Sequence, residues 1–281
     1  TALHPEITVE VFRAGTGDLT TRVAAEQQAG EIQADVFLAA DAGTFEDYAA
    51  DGLLLAYTPE GVDALSPDLV DPEGFYVGTR IIPTVIAYNT GVVTEAPSSW
   101  AELTDAQYAG QIVMPNPDVS GAAAYNAAVW LNEPALGEEW LTALAANAPV
   151  IADSNGPVAQ AVATGAQPVG IVVDYLVREL GAQGSPIAVA YPEEGVPFVS
   201  QPVGIFADTD AAEAAQLFVD FLISVEGQEL AVAQSYLPVR GDVGTPEGAP
   251  SLDEITILAP DLETIRSSQP DAVELFRQLF L

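Results

Sequence analysis

The sequence contains no cysteine and no lysine, and one histidine, His4. Without cysteine there is no disulfide framework and no thiolate metal site. Without lysine every side-chain cation is an arginine: Arg13, Arg22, Arg80, Arg178, Arg240, Arg266 and Arg277. These seven stand against 41 acidic residues, a formal net charge of −34. Such a surface repels nucleic acid and anionic lipid, which excludes both as partners. No apolar run approaches the ~18 residues that span a bilayer, so no membrane insertion is expected within the chain. The opening TALHPEITVE has neither the basic nor the apolar region of a leader, as expected of a mature secreted protein or a cytoplasmic one. Walker and Rossmann glycine fingerprints and a nucleophile elbow are also missing.

What is present is a globular chain of 281 residues, 49% hydrophobic, enough for two modest domains or one large one. The acids are scattered rather than blocked. That pattern fits a surface adapted to salt better than a cation trap.

Strand and helix patterns alternate. ITVEVFRA (7–14) alternates like a strand, and 18–30 follows as a helix capped by Asp18 and stopped by Gly30. ADVFLAA (34–40) reads as a buried parallel strand. The long strand 80–90 carries Pro83, a sign of an edge or bend. SWAELTD opens with a capping box, Ser99 and Glu102. Helices are expected at 42–54, 120–133, 138–149 and 155–166, and strands at 111–117, 185–195 and 201–208. Residues 168–180 begin as a strand and become a helix. Residues 211–236 form one or two helices broken near Gly227, and the tail from 251 is mostly helical. The pattern predicts an α/β protein with parallel sheet and helices on both faces. Two sheets fit better than one, with crossings near 80–90 and 200–205. Residues 1–84 plus 205–281 then form lobe 1 and 85–204 form lobe 2.

Several phrases occur in a telling order: ADVFLAADAGTFEDYAADGLL, VIAYNT, PSSWAEL, YAGQIVMPNPDVSGA, AYPEEG and AAQLFVDFLISVEGQELAVAQSYLPVRGDV. Together they resemble the type II extracellular solute-binding proteins of ABC importers, in the group that takes iron, phosphonates or sugar phosphates. The resemblance implies a two-lobed periplasmic-binding-protein fold with two crossover strands and an interlobe cleft. It implies a monomer that captures a small molecule outside the cytoplasm and delivers it to an ABC permease, with no catalysis and no cofactor. On the family pattern a further strand and helix, and the loop between them, precede the segment matching HPEITVEV.

For the ligand, the resemblance leaves iron and an organophosphate. Ferric-binding relatives use two adjacent tyrosines with a His and a Glu. Here Asp174–Tyr175 stands at the tyrosine pair, and Ala40 followed by Asp41 at the glutamate. If iron binds, Tyr175 and Asp174 are its expected ligands. The organophosphate reading rests on two turns, Gly15–Thr16–Gly17–Asp18 and Ser120–Gly121–Ala122, each opening a helix. Alone, each is ordinary loop-to-helix punctuation. Paired in two lobes, their free N–H groups would clamp an anion. Arg13 adds a guanidinium. Asp174 and Glu194 are expected at the ligand's other end, accepting from hydroxyl or ammonium groups, with Tyr175 on the cleft wall and Asn155 within reach. Trp100, Trp130 and Trp140 are expected in the core and Arg240 in a structural role. A carboxylate-based enzyme is the rival class. It lacks any acid–base pair with an identifiable role.

Overall fold

Fifteen residues precede the first helix, and alternating short strands and helices follow. The computed structural model describes residues 4–251, 254–258 and 260–281. In chain order its main elements are α1 (Thr16–Ala29), β1 (Val36–Leu38), α2 (Ala42–Ala50), β2 (Leu54–Leu55), β3 (Val77–Gly78), β4 (Ile82–Asn89), β5 (Ile112–Pro115), α3 (Gly121–Asn132), α4 (Gly137–Ala146) and β6 (Val150–Ala152). There follow α5 (Asn155–Thr164), β7 (Val169–Val173), α6 (Asp174–Ala182), β8 (Ile187–Ala190), β9 (Phe198–Val199), β10 (Pro202–Phe206), α7 (Ala212–Ile223), α8 (Val225–Ala233) and α9 (Leu262–Phe280).

The strands form two sheets. The first has the order β1-β10-β2, with β3 also on β10. The second has the order β6-β5-β7-β4-β8, with β9 on β4. Phe37, Phe45 and Phe206 lie under α1 and α2 on one face of the first sheet, and Ile205, Val219 and Ile223 pack α7 on the other. In the second sheet Ile86, Ile112 and Ile171 meet the cluster of Trp100, Trp130 and Trp140. Val158, Val162 and Val177 pack α5 and α6 against the opposite face. The three tryptophans pack with ring centroids 5.3–6.3 Å apart and are core residues, as expected from sequence.

Between the sheets the chain passes twice, side by side. Gly78 pairs with Pro202 on one side of the passage and Ile82 with Val199 on the other, both antiparallel. The N–H groups of Thr79 and Arg80 both donate to the Ser200 carbonyl, at 3.0 and 3.2 Å. This two-stranded ribbon runs over 78–82 and 199–202, and most of 82–89 belongs to the second sheet.

Several expectations are corrected. The sheets are not wholly parallel: β5 pairs parallel with β6 and β7, but β4 is antiparallel to β7 and β8, and β1 is antiparallel to β10. Segment 7–14 forms no strand. It pairs with none of the described strands, and Val11 and Phe12 are 80% and 62% exposed. Alternation prepares a strand, but only a neighbour's hydrogen bonds make one. The cap of α1 is Gly15, not Asp18, which lies in the first turn. Pro83 sits in a central strand, one residue beyond the ladder with β7, so its missing N–H breaks no bond there. The break in the 211–236 helix falls at Ser224, whose hydroxyl accepts from the Gly227 N–H at 3.0 Å. The tail does not stay in lobe 1. Ile265, Ala272 and Phe276 of α9 are buried in the tryptophan cluster of the second sheet.

Candidate functional site

The first turn of α1 lies against the loop that leads into α3. A Cβ on Gly121 would stand 2.6 Å from Thr16 Oγ1. Cβ atoms on Gly15 and Gly17 would stand 2.7 Å from the carbonyl oxygens of Val119 and Asp118. Only residues without side chains allow that approach. The two glycine turns, one from each sheet's layer, are therefore in direct contact.

Ser120 caps α3, its hydroxyl accepting from the Ala123 N–H at 3.3 Å. The same hydroxyl accepts from Asn155 Nδ2 at 3.0 Å, and Asn155 Oδ1 accepts from the Val173 N–H at 3.2 Å. Asn155 opens α5, and Val173 caps α6. One asparagine thus ties the N-termini of α3, α5 and α6 together, while α1 abuts α3. Each terminus contributes unpaired N–H groups and a partial positive charge.

Tyr175, in the first turn of α6, stacks on Tyr236 with ring centroids 4.2 Å apart. The Arg80 guanidinium lies 4.5 Å from the Tyr236 ring centroid. Burial and the neighbouring Tyr236 push the Tyr175 phenol up, while Arg13 and Arg80 pull it the other way. Sequence reasoning passed over Arg80 and Tyr236. One signal was available: residues 74–94 contain no acid, in a chain with 41 of them.

The structure brings together Thr16, Gly17, Ser120, Gly121, Asn155 and Tyr175, with Ala122 buried behind Ser120 and Arg13 exposed at the approach. Three expected residues are committed elsewhere. Asp41 caps α2, accepting from the Gly43 N–H at 3.1 Å and the Thr44 hydroxyl at 2.8 Å. Burial raises its carboxyl above the usual range. Glu194 accepts from the Trp100 and Ala101 N–H groups, both at 3.0 Å, and so caps the short helix 101–104. Asp174 is fully buried and paired with Arg178 at 2.6 Å. Tyr191 donates to the same carboxylate oxygen at 3.3 Å, and the other oxygen has no partner among the described residues. Burial outweighs the guanidinium and pushes Asp174 up to about 6.

The resulting site is rich in donors, and the carboxylates expected at it, Asp41, Asp174 and Glu194, are held by other groups. Among the described residues, no three His, Asp or Glu side chains lie close enough to hold a metal ion. Such an arrangement can hold an oxyanion by hydrogen bonds from backbone and hydroxyl groups.

Residues 31–268 match the family model described as bacterial extracellular solute-binding protein. A probable ABC transporter periplasmic-binding protein, y4fP of Sinorhizobium fredii, is 26% identical over 225 residues, 76% of this chain and 62% of its own length. The fold is similar to that of AfuA from Actinobacillus pleuropneumoniae, a periplasmic binding protein with fructose-6-phosphate bound. The TM-score is 0.86 at 24% identity, over 98% of this chain and 90% of that one. It is also similar to iron-bound HitA from Pseudomonas aeruginosa, with a TM-score of 0.84 at 22% identity over 100% of this chain and 94% of that one.

Proposed function

The chain belongs to the bacterial extracellular solute-binding proteins, and on that premise we propose that it captures a small phosphorylated or phosphonate compound between its lobes for an ABC permease. It acts outside the cytoplasm, as a monomer, and releases the ligand unchanged. The lobes divide near 84 and 205, with α9 added to the second. Their facing turns supply the reading's main support: the N-termini of α1 and α3, from different sheets, meet at Thr16 and Gly121. A phosphoryl group seated beside that contact would receive N–H donors from both, and closure around it would be driven by the anion itself. No lysine is needed, and none is present. The remaining helix termini and the Tyr175 hydroxyl add donors. Asp174 is tied to Arg178, which limits its part to its one unpartnered oxygen.

Iron is the competing ligand within the family. Its phenolate chemistry would fall to Tyr175, with Asp174 as the second candidate. Against that, the charged neighbours that act on Tyr175 are the guanidiniums of Arg13 and Arg80, which repel a ferric ion.

Calorimetry against hexose phosphates, an amine-bearing phosphonate, inorganic phosphate and ferric citrate decides between them. Binding of a phosphate or phosphonate is expected, weakened at least ~10-fold by Ser120→Ala or Thr16→Val, the loss of roughly 1.4 kcal/mol of hydrogen bonding. A red, stoichiometric ferric complex that vanishes in Tyr175→Phe would replace this reading with iron.

A further inference from the structure

We propose that Arg80, on the ribbon between the lobes, is a specificity-determining residue that contacts the ligand's anionic group. The inference rests on the anion reading above. Its first support is a contrast among the arginines. Arg22, Arg178, Arg240, Arg266 and Arg277 each pair with a carboxylate. Arg80 pairs with none among the described residues, although acids outnumber cations 41 to 7. Arg13 is the other arginine in no ion pair among the described residues, but it is exposed, whereas Arg80 is partly buried.

The second support is an unmet donor. Arg80 Nε is buried and has no hydrogen-bond partner among the described residues. An unsatisfied buried donor on a cation is costly, and one kept in a folded protein calls for a reason, which a bound anion would supply. The third is placement. The guanidinium is held over Tyr236, which stacks on Tyr175 in the first turn of α6. A cation over an aromatic face loses freedom without losing charge, so its donors stay aimed. Arg80 therefore joins the site from the ribbon, while the helix termini reach it from the lobes.

Gln201, on the returning strand of the ribbon, has a similar shortfall. Its Oε1 is buried without a partner among the described residues, and its backbone is left-handed at φ 42°. Thr79 Oγ1 donates to the Gln201 carbonyl at 2.8 Å, which fixes that backbone next to Arg80. A donor from Arg80 and an amide from Gln201, side by side in sequence position across the ribbon, suit an oxyanion that carries a hydroxyl close by. Of the probes above, a hexose phosphate offers alcohol hydroxyls set apart from its phosphoryl oxygens, whereas inorganic phosphate offers only the hydroxyl on phosphorus itself.

The test is calorimetry and thermal melting of wild type, Arg80→Met, Arg80→Lys and Ser120→Ala, with a hexose 6-phosphate, the amine-bearing phosphonate and inorganic phosphate as probes. Arg80→Met is expected to melt no lower than wild type without ligand, because it removes an unmet donor. It should nonetheless bind the preferred probe at least ~10-fold more weakly and with a shallower dependence on salt, and Arg80→Lys should recover part of the loss. Unchanged affinity in Arg80→Met, while Ser120→Ala weakens binding, overturns the role of Arg80 and leaves the proposed function standing. A lower melting point with unchanged affinity would make Arg80 a structural residue and overturns it also. Failure of wild type to bind any of the three probes overturns both readings.

Discussion

Inside the second lobe, Asp174 and Arg178 place a carboxylate and a guanidinium one helical turn apart, with the acid fully buried. Arg178 also donates to the Ser235 carbonyl at 2.8 Å, from the residue that follows α8 with φ 68°. The pair thus joins α6 to the end of α8. Removing one partner of a buried pair strands the other, at a cost of about 3–5 kcal/mol, so Arg178→Met is expected to be severely destabilised in urea unfolding. The pH dependence follows from the raised carboxyl. Asp174 titrates at about 6 when folded, against an ordinary 3.8. The folded state holds this proton more tightly than the unfolded one, so the group favours folding fully below pH ~4 and loses that contribution as pH rises through ~6. Between those limits, the stability difference between wild type and Asp174→Asn should shift against wild type as pH rises. A difference that is flat with pH would contradict the raised value.

At the scale of elements, most helices were legible because their apolar spacing and their stops are local. Gly30 ends α1, Ser120 caps α3, and the capping hydroxyl of Ser99 receives the Glu102 N–H at 3.0 Å. Strand pairing was less legible. ITVEVF has the alternation of a strand, but pairing depends on a neighbour that local pattern does not specify. The same limit hid the direction of β1. The helix break shows a different failure: Gly227 reads as a breaker, yet it lies inside α8. Its small size is what matters, since a Cβ there would collide with the Phe221 carbonyl of α7. Gly227→Ala is expected to cost about 1–3 kcal/mol by forcing the α7–α8 corner apart, measurable as a lower urea midpoint with unchanged slope. The site was half legible. Thr16, Ser120 and Asn155 carry capping and turn signals, whereas Asp174 and Glu194 were read as open acids and are spent on Arg178 and on the N–H groups of Trp100 and Ala101. A lone sequence shows that an acid exists but not which donor it has already met.

For the whole molecule, the charge of −34 sets the conditions. Of the ion pairs among the described residues, only Asp174–Arg178 is buried, so the four arginines of the solvent-facing pairs, Arg22, Arg240, Arg266 and Arg277, do little to offset the repulsion among 41 acids. Salt should therefore stabilise the fold, because screening shortens the reach of that repulsion to about 8 Å at physiological strength and about 3 Å at 1 M. The melting temperature is expected to rise steadily from low salt to 1 M sodium chloride. Anion binding should not fall as it would on a basic surface, since salt weakens both the attraction of the site and the repulsion around it. A melting temperature that drops with salt would show that attractive surface pairs, not repulsion, dominate.

The last helix gives the two lobes an unequal tie. α9 is anchored in the second lobe through Phe276 and Ile265, and Arg277 holds Asp118 at 2.5 Å on that same side. Towards the first lobe it reaches out with an exposed ion pair, Arg266 to Asp47 of α2. A hinge rotation leaves the anchored side intact and stretches the other. In such a rotation the helix would act as a detent rather than a lock, marking one resting angle while its anchored side stays packed. Because the Arg266–Asp47 pair is bare to solvent, the medium sets its grip, and the same receptor is expected to swing more freely in brine than in fresh water.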